Sequence, residues 1–354
     1  MGLKQVHYNL DEIDKKKANF NLIIGEKGNG KSWQVKHKRA ILNYLKTGNR
    51  FILLRRWRED LSNLWLEQYF ADVDVQGLTE GKYNCIIPYR KTLFFGHAED
   101  GKITRGEKIG YAMALSTEQH YSGGSFLDVS DIIFEEFMER GVYLKNEVDK
   151  MEYLYSTIDR KRGTTRVWMV GNSVSKINPY IQEWQLDKIL RVMKQGDINV
   201  KTIVHENNSF NIAIEFCKSS GGKQMSISNN MIDSGAWIVD RQPTINYNEY
   251  RSHARFGFQY KGYKFICEIM TKKEGANDFI FYIKPFVKDF TNKFLVFSDD
   301  IKPSIYWQRD IYNSNFPNEK FNNLLKEFKE SKIFYCNNQC GTEFKQVIDF
   351  TIRK

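Results

Sequence analysis

The chemistry in this chain concentrates first in Gly25-Glu26-Lys27-Gly28-Asn29-Gly30-Lys31-Ser32, which satisfies every fixed position of GxxxxGK[ST]. Glycines at these spacings let backbone amides turn inward around a polyphosphate. In such a loop Lys31 reaches the β- and γ-phosphate oxygens, and the Ser32 hydroxyl takes a place on Mg²⁺. All eight residues are therefore candidate ATP ligands. A second group, Asp131-Ile132-Ile133-Phe134-Glu135-Glu136, ends an apolar run in two acids. Glu135 is placed to hold Mg²⁺ through water, and Glu136 to polarise the attacking water. An acidic helix start after a core strand would carry the same letters. Asn172 follows another apolar run, where an amide senses the γ-phosphate or simply forms a turn.

Several arginines and one lysine are candidates for phosphate. Arg55 and Arg56 follow Phe51–Leu54, so they lie at a strand's carboxyl end, the edge where ligands of open α/β sheets bind. They face phosphate or DNA, or are solvated surface charge. Arg160, Lys161 and Arg162 follow a predicted helix over Val148–Ile158. One arginine there is a candidate finger reaching a neighbouring subunit's γ-phosphate. Plain contacts to a nucleic-acid backbone are the alternative for this run.

These residues require a sheet with ligand-bearing loops on one edge. The pattern predicts strands at Phe20–Ile24, Phe51–Leu54, Asp131–Phe134 and Arg166–Val170, with a shorter β-like stretch near Lys91–Phe95. Helices are predicted at Trp33–Leu45, Asp60–Phe70 and Val148–Ile158. Near-continuous apolar strands with helical spacers imply a parallel sheet covered on both faces, the α/β class. The expected boundaries are an ATPase domain over 1–205, a Ser/Asn/Gly-rich linker over 206–240, and a smaller α+β domain over 241–354. In the last, strands are expected at Arg255–Tyr260, Tyr263–Ile269, Phe279–Ile283, Phe294–Phe297 and Ile333–Cys336. A Lys261-Gly262 turn makes the first two a hairpin, and a helix is expected at Glu319–Lys329.

At 354 residues the chain exceeds what one core usually serves. Lys and Arg number 53 against 43 Asp and Glu, a formal +10 that suits a polyanionic partner. No apolar run reaches the ~18 residues of a membrane span, and the polar first residues lack the apolar region of a signal peptide. The five cysteines, Cys85, Cys217, Cys267, Cys336 and Cys340, are scattered and odd in number, as reduced thiols of a cytoplasmic protein are.

IIGEKGNGKS (23–32), FILLRRW (51–57), DIIFEEF (131–137), STIDRKR (156–162) and GNSVSKINPY (171–180), in this order, resemble the DNA-packaging ATPases of small podoviruses of the phi-29 type. These belong with the terminase-like, additional-strand P-loop ATPases. The likeness covers roughly 15–200 well, and the rest, through AWIVDR (236–241) and FGFQYKGYKFICEI (256–269), in outline. It implies a RecA-like P-loop fold and a genome-packaging motor that hydrolyses ATP with Mg²⁺ to drive double-stranded DNA into a procapsid. The implied partners are DNA, the capsid portal and further copies in a pentameric ring, at the portal vertex in the host cytoplasm; a structural RNA is a further candidate on which the sequence is silent. Lys31 and Ser32 then match the phosphate and magnesium ligands, Glu136 the catalytic glutamate, Arg160 the trans-acting finger, and Asn172 a residue linking hydrolysis to movement.

Two positions depart from the pattern. Glu135 stands where the family usually has aspartate, and Ser122 where it has a lysine acting on nucleotide or DNA. The family's C-terminal domain resembles a ribonuclease H-like nuclease without its metal acids. Glu268, Asp299 and Asp300 do not assemble into a two-metal cluster on the sequence pattern. A nucleic-acid-binding remnant is the expectation. Two other classes also accommodate a P-loop in a basic chain: an ATPase moving on single strands, and a scaffold that binds nucleotide without turnover.

Overall fold

A computed structural model of the chain describes residues 8–139, 143–173, 177–205, 208–218, 241–260, 262–274, 278–290, 296–298, 307–308 and 332–352. Two compact units result, Met1–Ile238 and Val239–Lys354.

The first unit opens with a short helix α1 (Asp11–Asp14) and β1 (Phe20–Gly25). Beyond the glycine loop a continuous helix runs as α2 (Lys31–Val35), a π segment (Lys36–Leu42) and α3 (Asn43–Thr47). β2 (Arg50–Arg55) leads to α4 (Asn63–Phe70), shorter than the Asp60–Phe70 helix expected. The Ser62 hydroxyl accepts the Trp65 amide and sets the later start, while Arg58–Asp60 form a 3₁₀ turn. After α5 (Val75–Leu78) come β3 (Cys85–Tyr89), β4 (Thr92–Glu99) and β5 (Lys102–Ala114), where the sequence signalled only one β-like stretch. β6 (Val129–Glu135), α6 (Glu147–Asp159) and β7 (Arg166–Asn172) stand where the sequence placed them. α7 (Pro179–Glu183), α8 (Asp187–Val192), β8 (Ile198–His205) and β9 (Asn208–Phe216) complete the unit.

The nine strands order as β3-β4-β5-β2-β6-β7-β1-β9-β8. From β5 to β9 every neighbour is parallel, and antiparallel strands close both edges. Strand alternation divides the core. Phe20, Leu22, Ile24, Ile132 and Phe134 pack with Met151, Leu154 and Ile158 of α6. Ile23, Leu53, Ile133 and Trp168 pack with Val35, Ala40 and Ile41 of the long helix and Leu66 and Phe70 of α4. Helices therefore cover both faces, and this is a mixed α/β fold built on a large, mainly parallel sheet.

One expected boundary fails. Asn208–Phe216 is not linker: it pairs with β1 from Phe20↔Ile212 to Ile24↔Phe216. Ile212 and Ile214 are buried in the core, and the sheet would lose a central neighbour of β1 without them. Of the predicted linker, residues 206–207 and 219–240 lie outside the described residues.

In the second unit β10 (Tyr250–Tyr260) and β11 (Tyr263–Lys272) form the expected hairpin, ending in the Tyr260↔Tyr263 pair, with Gly262 at φ 78°. The left-handed turn suits glycine. β12 (Ile280–Pro285), β13 (Val296–Ser298), β14 (Trp307–Gln308) and β15 (Ile333–Tyr335) extend the sheet in the order β14-β13-β10-β11-β12-β15. The final helix, α9 (Asn338–Ile352), lays Phe344 against Phe258 and Phe265. The helix expected at Glu319–Lys329 lies outside the described residues, as do Asp299 and Asp300.

Candidate nucleotide site

The glycine loop joins the carboxyl end of β1 to the amino end of α2. Gly28 and Gly30 adopt φ 80° and 92°, a region that L side chains rarely enter, so these glycines set the curl of the loop. Gly25 is constrained differently: a Cβ there would stand 2.8 Å from the Cys217 Cβ just beyond β9. The loop is thus packed from behind. The Tyr8 amide donates to the Asn29 carbonyl at 2.9 Å, and the Cys217 amide to the Ile24 carbonyl at 2.8 Å.

Lys31 is 4% exposed, and its ammonium donates to the Glu26 carbonyl, to Asn29 Oδ1 at 3.2 Å and to Asn172 Oδ1 at 3.4 Å. Burial draws its pKa below the ordinary lysine value, against the opposing pull of Cys217, Glu135 and Glu26. Asn172 arrives because β7 pairs with β1 in the register Gly25↔Asn172. Sequence reasoning placed Asn172 at this edge, and the strand pairing brings it to Lys31.

The acid pair ends β6. Glu135 is 5% exposed; its Oε2 accepts the Ser32 hydroxyl at 2.9 Å and its Oε1 the Tyr69 hydroxyl at 2.8 Å. Burial raises its pKa above the ordinary carboxylate value, more than these two hydrogen bonds lower it. Glu136 turns outward at φ 57°. Its Oε2 accepts Arg55 Nη1 at 2.9 Å, and Arg55 also reaches Asp60 at 3.2 Å while lying over the Trp65 ring. The two glutamates are neighbours in sequence with different surroundings: hydroxyls around one, a guanidinium beside the other.

Two of the candidate DNA contacts are used inside the fold. Arg56 is 1% exposed, and its guanidinium grips Glu147 through Nε at 2.8 Å and Nη2 at 3.0 Å. Nη2 also donates to the Phe137 carbonyl at 2.7 Å. Burial opposes its charge, and Glu147 more than restores it. Arg56 therefore fixes the chain after the acid pair and does not face DNA. Arg162 spends its guanidinium on the Leu127, Val129, Phe126 and Ile158 carbonyls and the Thr165 hydroxyl. Half-buried, it ties the 126–129 segment to the end of α6.

Arg160 and Lys161 remain outward. Both are exposed and left-handed, at φ 49° and 64°, and Arg160 Nη2 donates to the Gly124 carbonyl at 2.6 Å. Within this unit neither makes a described contact with the glycine loop. Asp159 holds the following turn through the Gly163 and Thr165 amides at 2.8 and 2.9 Å. Ser122, where the resemblance implied a lysine, pairs with the Tyr153 hydroxyl at 2.7 Å. The residues that sequence reasoning missed are Tyr69 on α4, Glu147 at the start of α6 and Cys217 just beyond β9, each brought to the site's framework from far away in sequence.

A model of the podovirus DNA encapsidation protein (Gp16) family matches residues 3–350. The chain belongs to that family. Among its relatives, the DNA packaging protein of Bacillus phage PZA is 28% identical over 250 residues, 67% of this chain and 70% of that one. The DNA packaging protein of Bacillus phage phi29 is 27% identical over 250 residues, 68% and 70% of the two chains. A chain of the bacteriophage Phi-29 viral genome packaging motor assembly superposes with a TM-score of 0.54 at 20% identity, covering 98% of this chain and 99% of its own. That likeness shows a shared fold across both units.

Among the described residues of the second unit one acid is buried, Glu268, at 4% exposure. Its carboxylate receives Lys284 Nζ at 2.6 Å and the Tyr247 hydroxyl at 2.8 Å. Among the described residues no cluster of three or more His, Cys, Asp or Glu side chains is arranged to hold a metal.

Proposed function

We propose that this chain hydrolyses ATP with Mg²⁺ at the glycine loop and uses the energy to move double-stranded DNA into a procapsid. The observation that carries the reading is the Ser32–Glu135 contact at 2.9 Å, which joins the glycine loop to the acid pair. A hydroxyl and a carboxylate are hard oxygen donors of the type magnesium takes, with nucleotide phosphates and water completing its shell. Magnesium there would neutralise charge on the β- and γ-phosphates.

The chain's own groups divide the remaining work. Loop amides and the amino end of the long helix receive the phosphates. The Lys31 ammonium exchanges its Glu26, Asn29 and Asn172 acceptors for phosphate oxygens, and Asn172 is thereby informed of the γ-phosphate. Glu136 orients the attacking water and takes its proton, which requires its carboxylate to leave Arg55. Arg160, exposed beside Gly124, supplies positive charge to the γ-phosphate of a neighbouring copy in a pentameric ring. Lys161 faces the DNA backbone.

The domain scheme follows from the same reading: an ATPase unit through β9 and, from 241 on, a remnant of a ribonuclease H-like domain. Pairing of Glu268 with Lys284 and Tyr247 supports the absence of nuclease activity, because a carboxylate so held has little to offer a catalytic metal. The assembly acts at the portal vertex in the host cytoplasm, against the portal and a structural RNA. Steady-state ATP hydrolysis with and without linear duplex DNA tests the proposal. Stimulation by duplex, lost in Glu136→Gln, is expected; turnover that Glu136→Gln leaves intact would overturn the assignment of the base.

A further inference from the structure

Tyr69 was invisible as a functional residue in the sequence, yet it makes the direct contact from α4 to the acid pair. Its hydroxyl donates to Glu135 Oε1 at 2.8 Å, while the opposite oxygen, Oε2, receives Ser32 at 2.9 Å. The ring is held on several sides. Trp65, one turn earlier on α4, stacks on it at 5.1 Å and 23°. Lys36 of the long helix lies 4.8 Å over the ring and donates to the Tyr69 carbonyl at 2.6 Å, and Asp72 pairs with the same ammonium. Phe70 meets the ring edge-on at 4.9 Å. A side chain confined in this way presents its hydroxyl from a fixed point.

We propose that Tyr69 is a positioning residue for Glu135, orienting its carboxylate toward Ser32 and the cation that accompanies the nucleotide. A glutamate has one more rotatable bond than an aspartate, and a carboxylate anchored at only one oxygen can swing about that contact. The Tyr69 hydroxyl removes this freedom without adding charge, so the carboxylate keeps its attraction for a cation. A lysine in the same place would have neutralised it. Through Trp65, which carries Arg55 on its face at 5.1 Å, α4 reaches the neighbouring Glu136 as well. One short helix thus touches both acids, directly at Glu135 and through Arg55 at Glu136. Groups that orient metal ligands from behind typically matter by ~10–100-fold in metal affinity.

The inference rests on the ATP·Mg²⁺ reading above, so its test must separate the two. Tyr69→Phe removes the hydroxyl and keeps the stacked ring. The affinity of a fluorescent ATP analogue is measured with and without Mg²⁺, beside steady-state turnover as a function of Mg²⁺. In the wild type Mg²⁺ tightens analogue binding. In Tyr69→Phe the metal-free affinity is expected to stay, the tightening to shrink about tenfold, and half-activating Mg²⁺ to rise by a similar factor. Glu135→Asp draws the carboxylate out of the hydroxyl's reach, so Tyr69→Phe should add little further loss in that background, whereas a merely structural defect would add in full. Undiminished Mg²⁺ tightening in Tyr69→Phe, or full additivity with Glu135→Asp, overturns the role of Tyr69. A wild type whose analogue binding ignores Mg²⁺ fails the nucleotide–metal reading itself and the inference with it.

Discussion

The two units each bury a glutamate within a sheet, and they treat it in opposite ways. Glu135 is met by two hydroxyls, Ser32 and Tyr69, whereas Glu268 is met by the Tyr247 and Ser252 hydroxyls and, beyond them, by the ammonium of Lys284. Burial pushes on both carboxyls. At Glu135 it wins and the pKa ends above the ordinary value; at Glu268 Lys284 and Tyr247 outweigh it and the pKa ends below. A buried carboxylate given only uncharged donors carries an unbalanced charge, which a protein tolerates where an external cation completes the site. A carboxylate given an internal cation is already complete. Glu215 on β9 extends the series: its one described hydrogen bond comes from the Tyr8 hydroxyl at 2.7 Å, and burial pushes its pKa up to about 7.

The largest effect expected from this contrast is catalytic. Glu136→Gln should lower DNA-stimulated ATP turnover by roughly 10³-fold while nucleotide binding persists. Glu268→Gln should leave turnover per folded molecule unchanged. Equal losses in the two variants would dissolve the distinction between the units.

Next comes Glu215. A folded pKa of about 7 against an unfolded value near 4.5 means that the folded state holds the extra proton between those values. Its contribution is therefore fully present below about pH 4.5 and lost as pH rises to about 7, by up to about 3 kcal/mol. Chemical denaturation across that window should show wild-type stability falling relative to Glu215→Gln; parallel curves would refute the assignment.

Glu135 and Glu268 should bend stability with pH in opposite senses. Glu135, with its raised pKa, loses stability as pH rises above the ordinary carboxylate value. Glu268, with its depressed pKa, loses its contribution as pH falls below that value. Differences from Glu135→Gln and from Glu268→Gln, measured between pH 3 and 8, should slope oppositely. Slopes of one sign would mean that Lys284 does not set the environment of Glu268.

The smallest effect concerns exposed charge. Lys161→Ala should reduce the salt dependence of duplex binding by about 0.9 in log–log slope, the share of one phosphate. The same substitution at Arg162 should instead lower stability, because its guanidinium ties the Leu127 and Val129 carbonyls to the Ile158 carbonyl of α6. A smaller salt slope with unchanged stability in Arg162→Ala would return that residue to the DNA.

Legibility in the sequence followed the range of the interactions. The glycine loop is read within eight residues, and the acid pair needs only the apolar run before it. Arg55 and Arg56 could not be told apart: adjacent residues leave a strand on opposite sides, and the partners that sort them, Glu136 and Glu147, lie 81 and 91 positions away. Tyr69 stands 66 residues from Glu135, with nothing local to mark it. β9 is a different miss, since Phe210, Ile212, Ile214 and Phe216 alternate as a strand should. Its Asn and Ser residues, and the Ser/Asn/Gly-rich stretch that follows, read as a linker because composition was weighed above periodicity.

The position of β1 between β7 and β9 bears on when the site comes into being. β1 is synthesised well before its partners, residues 166–172 and 208–216. A nascent chain short of Phe216 has a glycine loop whose supporting strand lacks one whole row of backbone hydrogen bonds and the Cys217 packing behind Gly25. Pairings this distant close late in folding. Nucleotide capture is thus postponed until the whole ATPase unit has been synthesised, so truncated products would be poor competitors for ATP.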